Sequence, residues 1–332
     1  MEDRACGETD GMMPRPYCSL IAILILSSWS GSSTHAEDGN AHSSIKTESA
    51  NVIWLISSRH LPSSKCLSDV DPTELQFNRL DDAGNKVSGN LSEFEADGIG
   101  RRTCVYVHGN RVSSSYAVYR GLRVDRRLEC QQIETESIRF VIWSWPSDRV
   151  KGLVRDARVK AARTDSESFY LASVLLTQPE NEPLGLIGFS FGCPIISGAL
   201  HLLAGGALCG CSLDLESPHQ FNADVVLMAP AMGNRWLSPS GRYGLAAGQI
   251  ERLLLLYNSR DRALKQFWVI SSQRTVKALG YTGFNGAPLG ELRGRIRQCD
   301  VSRQIGREHT AKLYLNSRYV SRMMANGAMG QE

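Results

Sequence analysis

Short, largely apolar runs at residues 52–56, 103–107, 139–145, 184–187, 225–229 and 253–257 alternate along this chain with longer stretches of mixed character. A strand covered by helices on both faces reads as such a run, whereas a half-buried strand would alternate. The longer stretches carry apolar residues three and four places apart. Phe169, Leu171, Val174 and Leu175 do so within 166–176, and Ile195, Ile196, Ala199, Leu200 and Leu203 within 191–204. Such spacing gathers them on one face of a helix. A further helix is predicted over 115–122 and an early strand over 74–78; Pro146 and Pro230 end the strands before them. The alternation predicts an α/β fold, a mostly parallel sheet with helices on both faces. Residues 205–222 and 231–249 are long for links and supply short cap or loop insertions. Each either roofs a site or forms a padded surface loop.

Between the run at 184–187 and the helix that follows lies Gly188-Phe189-Ser190-Phe191-Gly192. The pentad alone is a weak signal in a chain with 30 glycines, so its flanks decide. Strand, sharp turn and helix in that order put a serine at the apex, with glycines that let strand and helix pass closely. Pro194 falls in the first helical turn, where backbone N–H groups lack partners anyway. The bland alternative is a Gly/Ser turn between buried elements.

A serine hydroxyl needs an imidazole to take its proton and a carboxylate to orient that imidazole. Asn258-Ser259-Arg260-Asp261 follows the run at 253–257, which places Asp261 at a strand's carboxyl end. Asp224 is the rival acid, but it precedes its strand and so sits at the wrong end of the sheet. His309 is the sole histidine after Asp261. Each has a plainer reading: Asp261 as the cap of a helix over 263–267, His309 as a surface histidine among basic neighbours. Earlier, the run at 103–107 leads into His108-Gly109-Asn110. A tetrahedral oxyanion needs N–H donors; in folds with such an elbow one follows the nucleophile and another comes from the loop after this early strand, and the backbone groups of Phe191 and Asn110 would supply them. His108 itself reads as a loop-shaping or pocket-lining residue.

On these residues the chain resembles the α/β-hydrolase superfamily, close to its uncharacterised bacterial, lipase- and esterase-like branches, over residues 52–323. The resemblance implies Ser190 as nucleophile, Asp261 as acid, His309 as base and Asn110 with Phe191 as oxyanion donors. Asn110 stands where many lipases and esterases continue with further glycines, so the acyl pocket is shaped differently. The implied activity is an exported serine hydrolase that cleaves a carboxylic ester, or less readily an amide, through an acyl-enzyme. A non-catalytic binding protein of the same fold and an acyltransferase are the alternatives. The expected partner is a small-molecule or lipid-like ester, with no metal or organic cofactor.

Composition changes little in this picture. A hydrophobic fraction of 42%, a charged fraction of 21% and a net charge of +3 are ordinary for one catalytic domain and do not argue for nucleic acid. The amino terminus says more. Arg4 and Arg15 precede an apolar run at 17–26, and small polar residues lead to Thr34-His35-Ala36, the pattern of a secretory signal. The run is far shorter than the roughly 20 residues that span a bilayer, so an uncleaved anchor is the alternative. We read 1–36 as signal, 37–50 as a polar linker and 51–332 as the catalytic domain, with translation starting at Met1, Met12 or Met13.

Of nine cysteines, Cys6 and Cys18 fall in the signal. Cys104 and Cys193 read as packed thiols, while Cys66, Cys130 or Cys299 could pair with Cys209 or Cys211. Among the cations, Arg149, Lys151, Arg155, Arg158, Lys160 and Arg163 interleave with apolar residues at helical spacing and read as a solvated helix face. Arg293, Arg295, Arg297, Arg303 and Arg307 approach His309, and the expectation is that they line a mouth for acidic substrates.

Overall fold

In the computed structural model, which describes residues 51–331 apart from 65, 82, 131–136, 181 and 272–274, the apolar runs become the middle of one sheet. The expected signal and linker lie outside the described residues. The strands are β1 (Val52–Ser57), β2 (Gln76–Leu80), β3 (Lys86–Gly89), β4 (Thr103–Val107), β5 (Arg139–Ser144), β6 (Leu184–Phe189), β7 (Ala207–Leu208), β8 (Cys211–Ser212), β9 (Ala223–Met228), β10 (Ile250–Tyr257) and β11 (Ile296–Asp300). Nine of them form a sheet in the order β11-β10-β9-β6-β4-β5-β1-β2-β3. Pairing is parallel from β11 to β1 and antiparallel only where β2 and β3 close the edge. Every residue of β4, β5, β6 and β9 is buried, which is why these strands read as unbroken apolar runs.

The longer helices are α1 (Leu91–Ala96), α2 (Ser114–Glu129), α3 (Leu153–Leu175), α4 (Gly192–Leu203), α5 (Ala311–Asn316) and α6 (Arg318–Ala328). Asn90, Ser113 and Ser317 cap α1, α2 and α6, each accepting from a backbone N–H of the first turn. Helices lie on both faces. Gly185 and Gly188 point to opposite sides of β6. A Cβ on Gly185 would sit 2.4 Å from Ala328 O of α6, and one on Gly188 2.9 Å from Cys193 Cα of α4. The parallel chain steps outward from β4 to β5 and then crosses back to β6, so the carboxyl ends of β4 and β6 flank the topological switch, where open α/β sheets bind ligands.

Several boundaries differ from the sequence reading. The early strand starts at Gln76, because Asp71 accepts from Thr73 N–H and Pro72 opens a 3₁₀ turn through Glu74. The helix expected at 115–122 runs on to Glu129, and that at 166–176 is the second half of α3. The basic stretch runs from the loop before α3 into that helix's first half, and not all of it is solvated. Lys160 and Arg163 are buried: Lys160 Nζ donates to Pro146 O (2.9 Å), and Arg163 donates to Glu167 Oε1 (2.7 Å) and to Leu61 O (3.1 Å). The segment after β1 covers this turn, and Ser58 Oγ also donates to Glu167 (2.6 Å). Arg149, Lys151, Arg155 and Arg158 are exposed, as expected of a solvated face.

The insertion at 205–222 folds as the β7–β8 hairpin, tied to the segment after β1 by a Cys66–Cys211 disulfide, one of the pairings left open by sequence. Cys104 and Cys193 are buried free thiols, and burial pushes Cys104 up to about 12.

Asp125 of α2 is buried and accepts from Asn51 Nδ2 (2.9 Å), whose own Oδ1 takes Ile138 N–H (3.2 Å) ahead of β5. Desolvation raises its pKa to about 7. The folded protein therefore holds this proton more tightly than the unfolded chain, and stability falls as pH rises from about 4 to 7. Asp125→Asn keeps an acceptor for Asn51 and removes the titration. Its stability relative to wild type is expected to rise between pH 5 and pH 8, with a slope of up to about 1.4 kcal/mol per pH unit below pH 7. Denaturant unfolding at both pH values measures this; a constant difference would contradict it.

Candidate active site

At the end of β6 the chain turns so sharply that Ser190 takes φ 54°, a left-handed conformation that costs a non-glycine residue about 1–3 kcal/mol. The surroundings hold it there. Ser190 N donates to Met228 O (3.0 Å), and its carbonyl accepts from Ala231 N (3.1 Å) and Cys193 N (3.2 Å). A Cβ on Gly192 would lie 2.1 Å from Val107 O, so only glycine lets α4 start this close to the end of β4.

The structure brings His309 and Asp261 to this serine. His309 Nε2 lies 2.8 Å from Ser190 Oγ, and Nδ1 lies 2.7 Å from Asp261 Oδ2. An ionised carboxylate only accepts, so Nδ1–H donates to it and the Nε2 lone pair is left to accept from the serine hydroxyl. All three side chains are buried or nearly so. The Phe189 ring packs against the imidazole at 5.3 Å. Two hydrogen bonds join the acid loop to the histidine loop: Asn258 Nδ2 to Gly306 O (3.0 Å) and Arg262 N to Arg307 O (3.2 Å). Asp261 makes the contacts of both readings at once. Its Oδ1 caps the one-turn helix Arg262–Lys265 by accepting from Leu264 N (2.9 Å), which leaves Oδ2 for His309. Asp224, the rival, is at the far end of β9 and is paired with Arg102 and Arg252.

The loop after β4 lies against the elbow; a Cβ on Gly109 would stand 3.0 Å from Ser190 Cβ. His108 is fully buried within this loop and does not line the cleft. Its Nδ1 is 2.9 Å from Gly109 O, and its ring stacks on Trp145. Desolvation lowers its pKa to about 3, so it is neutral and Nδ1–H donates. In a planar trans peptide the N–H points opposite to the C=O, so this bond also aims the Asn110 N–H. The Asn110 side chain donates to Asp156 Oδ2 (3.1 Å), and Arg111 Nε donates to the same oxygen (2.8 Å), which anchors the loop to the first turn of α3. Phe191 N–H stands at the start of α4, where the helix dipole favours negative charge.

Ser190, His309 and Phe191 open into an apolar cleft of about 530 Å³, counted out to its mouth. Its walls are Leu153, Val154 and Ala157 of α3 and the segment from Leu264 to Ile270 that follows Asp261. In the sequence the first three show only the helical spacing of a buried stripe, a pattern that a cleft wall shares. The insertions contribute little: of 231–249 only Ala231 reaches the cleft, and nothing of 205–222 does. The late arginines do not line it either. Arg293, Arg295, Arg297, Arg303 and Arg307 are exposed and absent from its walls, because β11 and the turn before His309 carry them to the sheet's outer edge.

The sheet order, the helices on both faces and the strand-turn-helix elbow at the switch point define the α/β-hydrolase fold. No family model matches the chain, and no curated protein matches it. Among solved structures it is similar to Zea mays acyl-protein thioesterase 2, with 16% identity and a TM-score of 0.33 over 68% of this chain and 94% of that one.

Proposed function

We propose that this protein is a serine hydrolase that cleaves a carboxylic ester through an acyl-enzyme. The observation that carries the reading is the unbroken line of hydrogen bonds from Ser190 Oγ through both nitrogens of His309 to Asp261. Ser190 Oγ attacks the ester carbonyl as His309 Nε2 takes its proton. Asp261 stabilises the imidazolium, and the N–H groups of Asn110 and Phe191 hold the oxyanion. As the tetrahedral intermediate collapses, the C–O bond to the leaving group breaks and His309 returns the proton to the departing alcohol. Water, deprotonated by His309, then attacks the acyl-serine, and Ser190 leaves with its proton restored. The amino-terminal pattern supports an exported enzyme.

An apolar cleft beside the nucleophile fits an apolar acyl group. Hydrolysis of p-nitrophenyl esters of graded chain length tests the reading: activity is expected with wild type and none above background with Ser190→Ala. Equal rates for the two would overturn it. Val154→Phe, which fills part of the wall, is expected to lower kcat/KM for the longest accepted ester by roughly tenfold while sparing acetate, since pocket methylenes are worth about 1–3 kcal/mol.

A further inference from the structure

A second, larger cavity lies on the far side of the cleft's wall. Phe267, which lines the cleft, meets Trp236, which lines this cavity, edge to face at 6.1 Å, and Ile270 and Ser271 divide between the two in the same way. On the same measure it holds about 1710 Å³. Its position is fixed by a short ladder that begins at the elbow. Ala231 N–H donates to Ser190 O, Gly280 N to Pro230 O (3.0 Å), Leu279 N to Met232 O (2.7 Å) and Asn234 N to Lys277 O (2.9 Å). That last bond sets Lys277 opposite the turn that carries Arg235.

The chemistry of this cavity is unlike that of the cleft. Arg235, Arg242 and Lys277 line it, and among the described residues no aspartate or glutamate does. Arg242 is answered from behind by Asp165 (2.6 Å) and lies over Trp236. Arg235 and Lys277 form no ion pair among the described residues, so two like charges line one concave surface with no counter-charge described there. A concave surface lined by one sign of charge attracts an ion of the other, here an anion. The rest of the lining is rich in neutral hydrogen-bonding groups, among them Ser240, Thr275 and Asn285. Ser238, 3% exposed, also lines it, and its hydroxyl has no hydrogen-bond partner among the described residues; an unsatisfied buried group costs about 1–3 kcal/mol.

We propose that this second cavity binds a small anionic ligand rich in hydroxyl groups, a sugar phosphate or a sugar acid, with Arg235 and Lys277 taking the anion and the hydroxyl and amide side chains taking the ring. The site is separate from the Ser190 cleft, and occupancy does not depend on the hydrolase reading.

Calorimetric titration of the full chain tests this with four probes: glucose 6-phosphate, glucuronate, glucose and inorganic phosphate. At least one of the sugar anions is expected to bind at least roughly tenfold more tightly than glucose and than inorganic phosphate. Which sugar anion binds distinguishes a phosphate from a carboxylate ligand. Arg235→Gln with Lys277→Gln is expected to weaken that binding at least roughly tenfold, with the melting temperature unchanged because both side chains are exposed, whereas Ser190→Ala leaves binding intact. Absence of binding by both sugar anions, binding no tighter than that of phosphate alone, or binding unaltered in the double variant would each overturn the proposal.

Discussion

Asp261→Asn is expected to lower kcat by about 10⁴-fold while leaving the melting temperature close to that of wild type. The two halves of this result come from the two carboxylate oxygens. An asparagine still offers its carbonyl oxygen to Leu264 N–H, so the helix cap survives. Its amide nitrogen, however, donates where Oδ2 accepted, and His309 must then present the Nδ1 lone pair to it. The proton moves to Nε2, which faces Ser190 and can no longer take the hydroxyl proton. His309→Gln removes the base outright and is expected to cost more, about 10⁶-fold in kcat. Rates with a p-nitrophenyl ester beside thermal melts of each variant check this. An Asp261→Asn enzyme with unimpaired kcat would mean that Asp261 serves only as a cap.

The second large effect falls on a residue with no side chain. Gly192→Ala would drive a Cβ to 2.1 Å from Val107 O and 3.1 Å from His108 O, and these are backbone atoms that cannot swing aside. Strand β4 or the start of α4 must shift, and the expected oxyanion donors adjoin them, Asn110 in the loop after β4 and Phe191 at the cap of α4. Overpacking of this kind typically costs about 1–3 kcal/mol of stability. Misplacing the donors is expected to lower kcat by roughly 10²–10³-fold beyond that. Gly205→Ala is the control for a left-handed glycine elsewhere: with φ 81° it is strained, but its Cβ meets only Pro218 Cγ at 3.6 Å, so stability should fall with little change in kcat for the folded fraction. Equal kcat for wild type and Gly192→Ala would contradict this account of the elbow.

The elements that bring Ser190, Asp261 and His309 together were legible because local pattern and sheet topology agree there. The run at 184–187 followed by glycines and an apolar helix predicted a sharp turn at Ser190, where the structure has φ 54°, and Asp261 and His309 follow it in the order that the resemblance implied. What the sequence hid was set by contacts between segments far apart along the chain. The turn of α3 bearing Lys160 and Arg163 looks exposed until the segment after β1 folds over it and supplies Leu61 O, and until Glu167, one turn on, takes the guanidinium. The cleft walls join residues 153–157 with 264–270, a pairing that no local period signals. The late arginines failed as a mouth because nearness to His309 along the chain is not nearness to the cleft; β11 leads away from it. Of the insertion at 231–249 only Ala231 reaches the cleft, and residues within 234–242 line part of the second cavity.

The central claim is that Ser190 is an activated nucleophile, and reaction of the purified protein with a fluorophosphonate probe, read by intact mass and peptide mapping, tests it most directly. The account expects one adduct, on Ser190, absent from Ser190→Ala and strongly slowed in His309→Gln. Folded wild-type protein that forms no adduct, or one that forms it on another residue, would contradict the account.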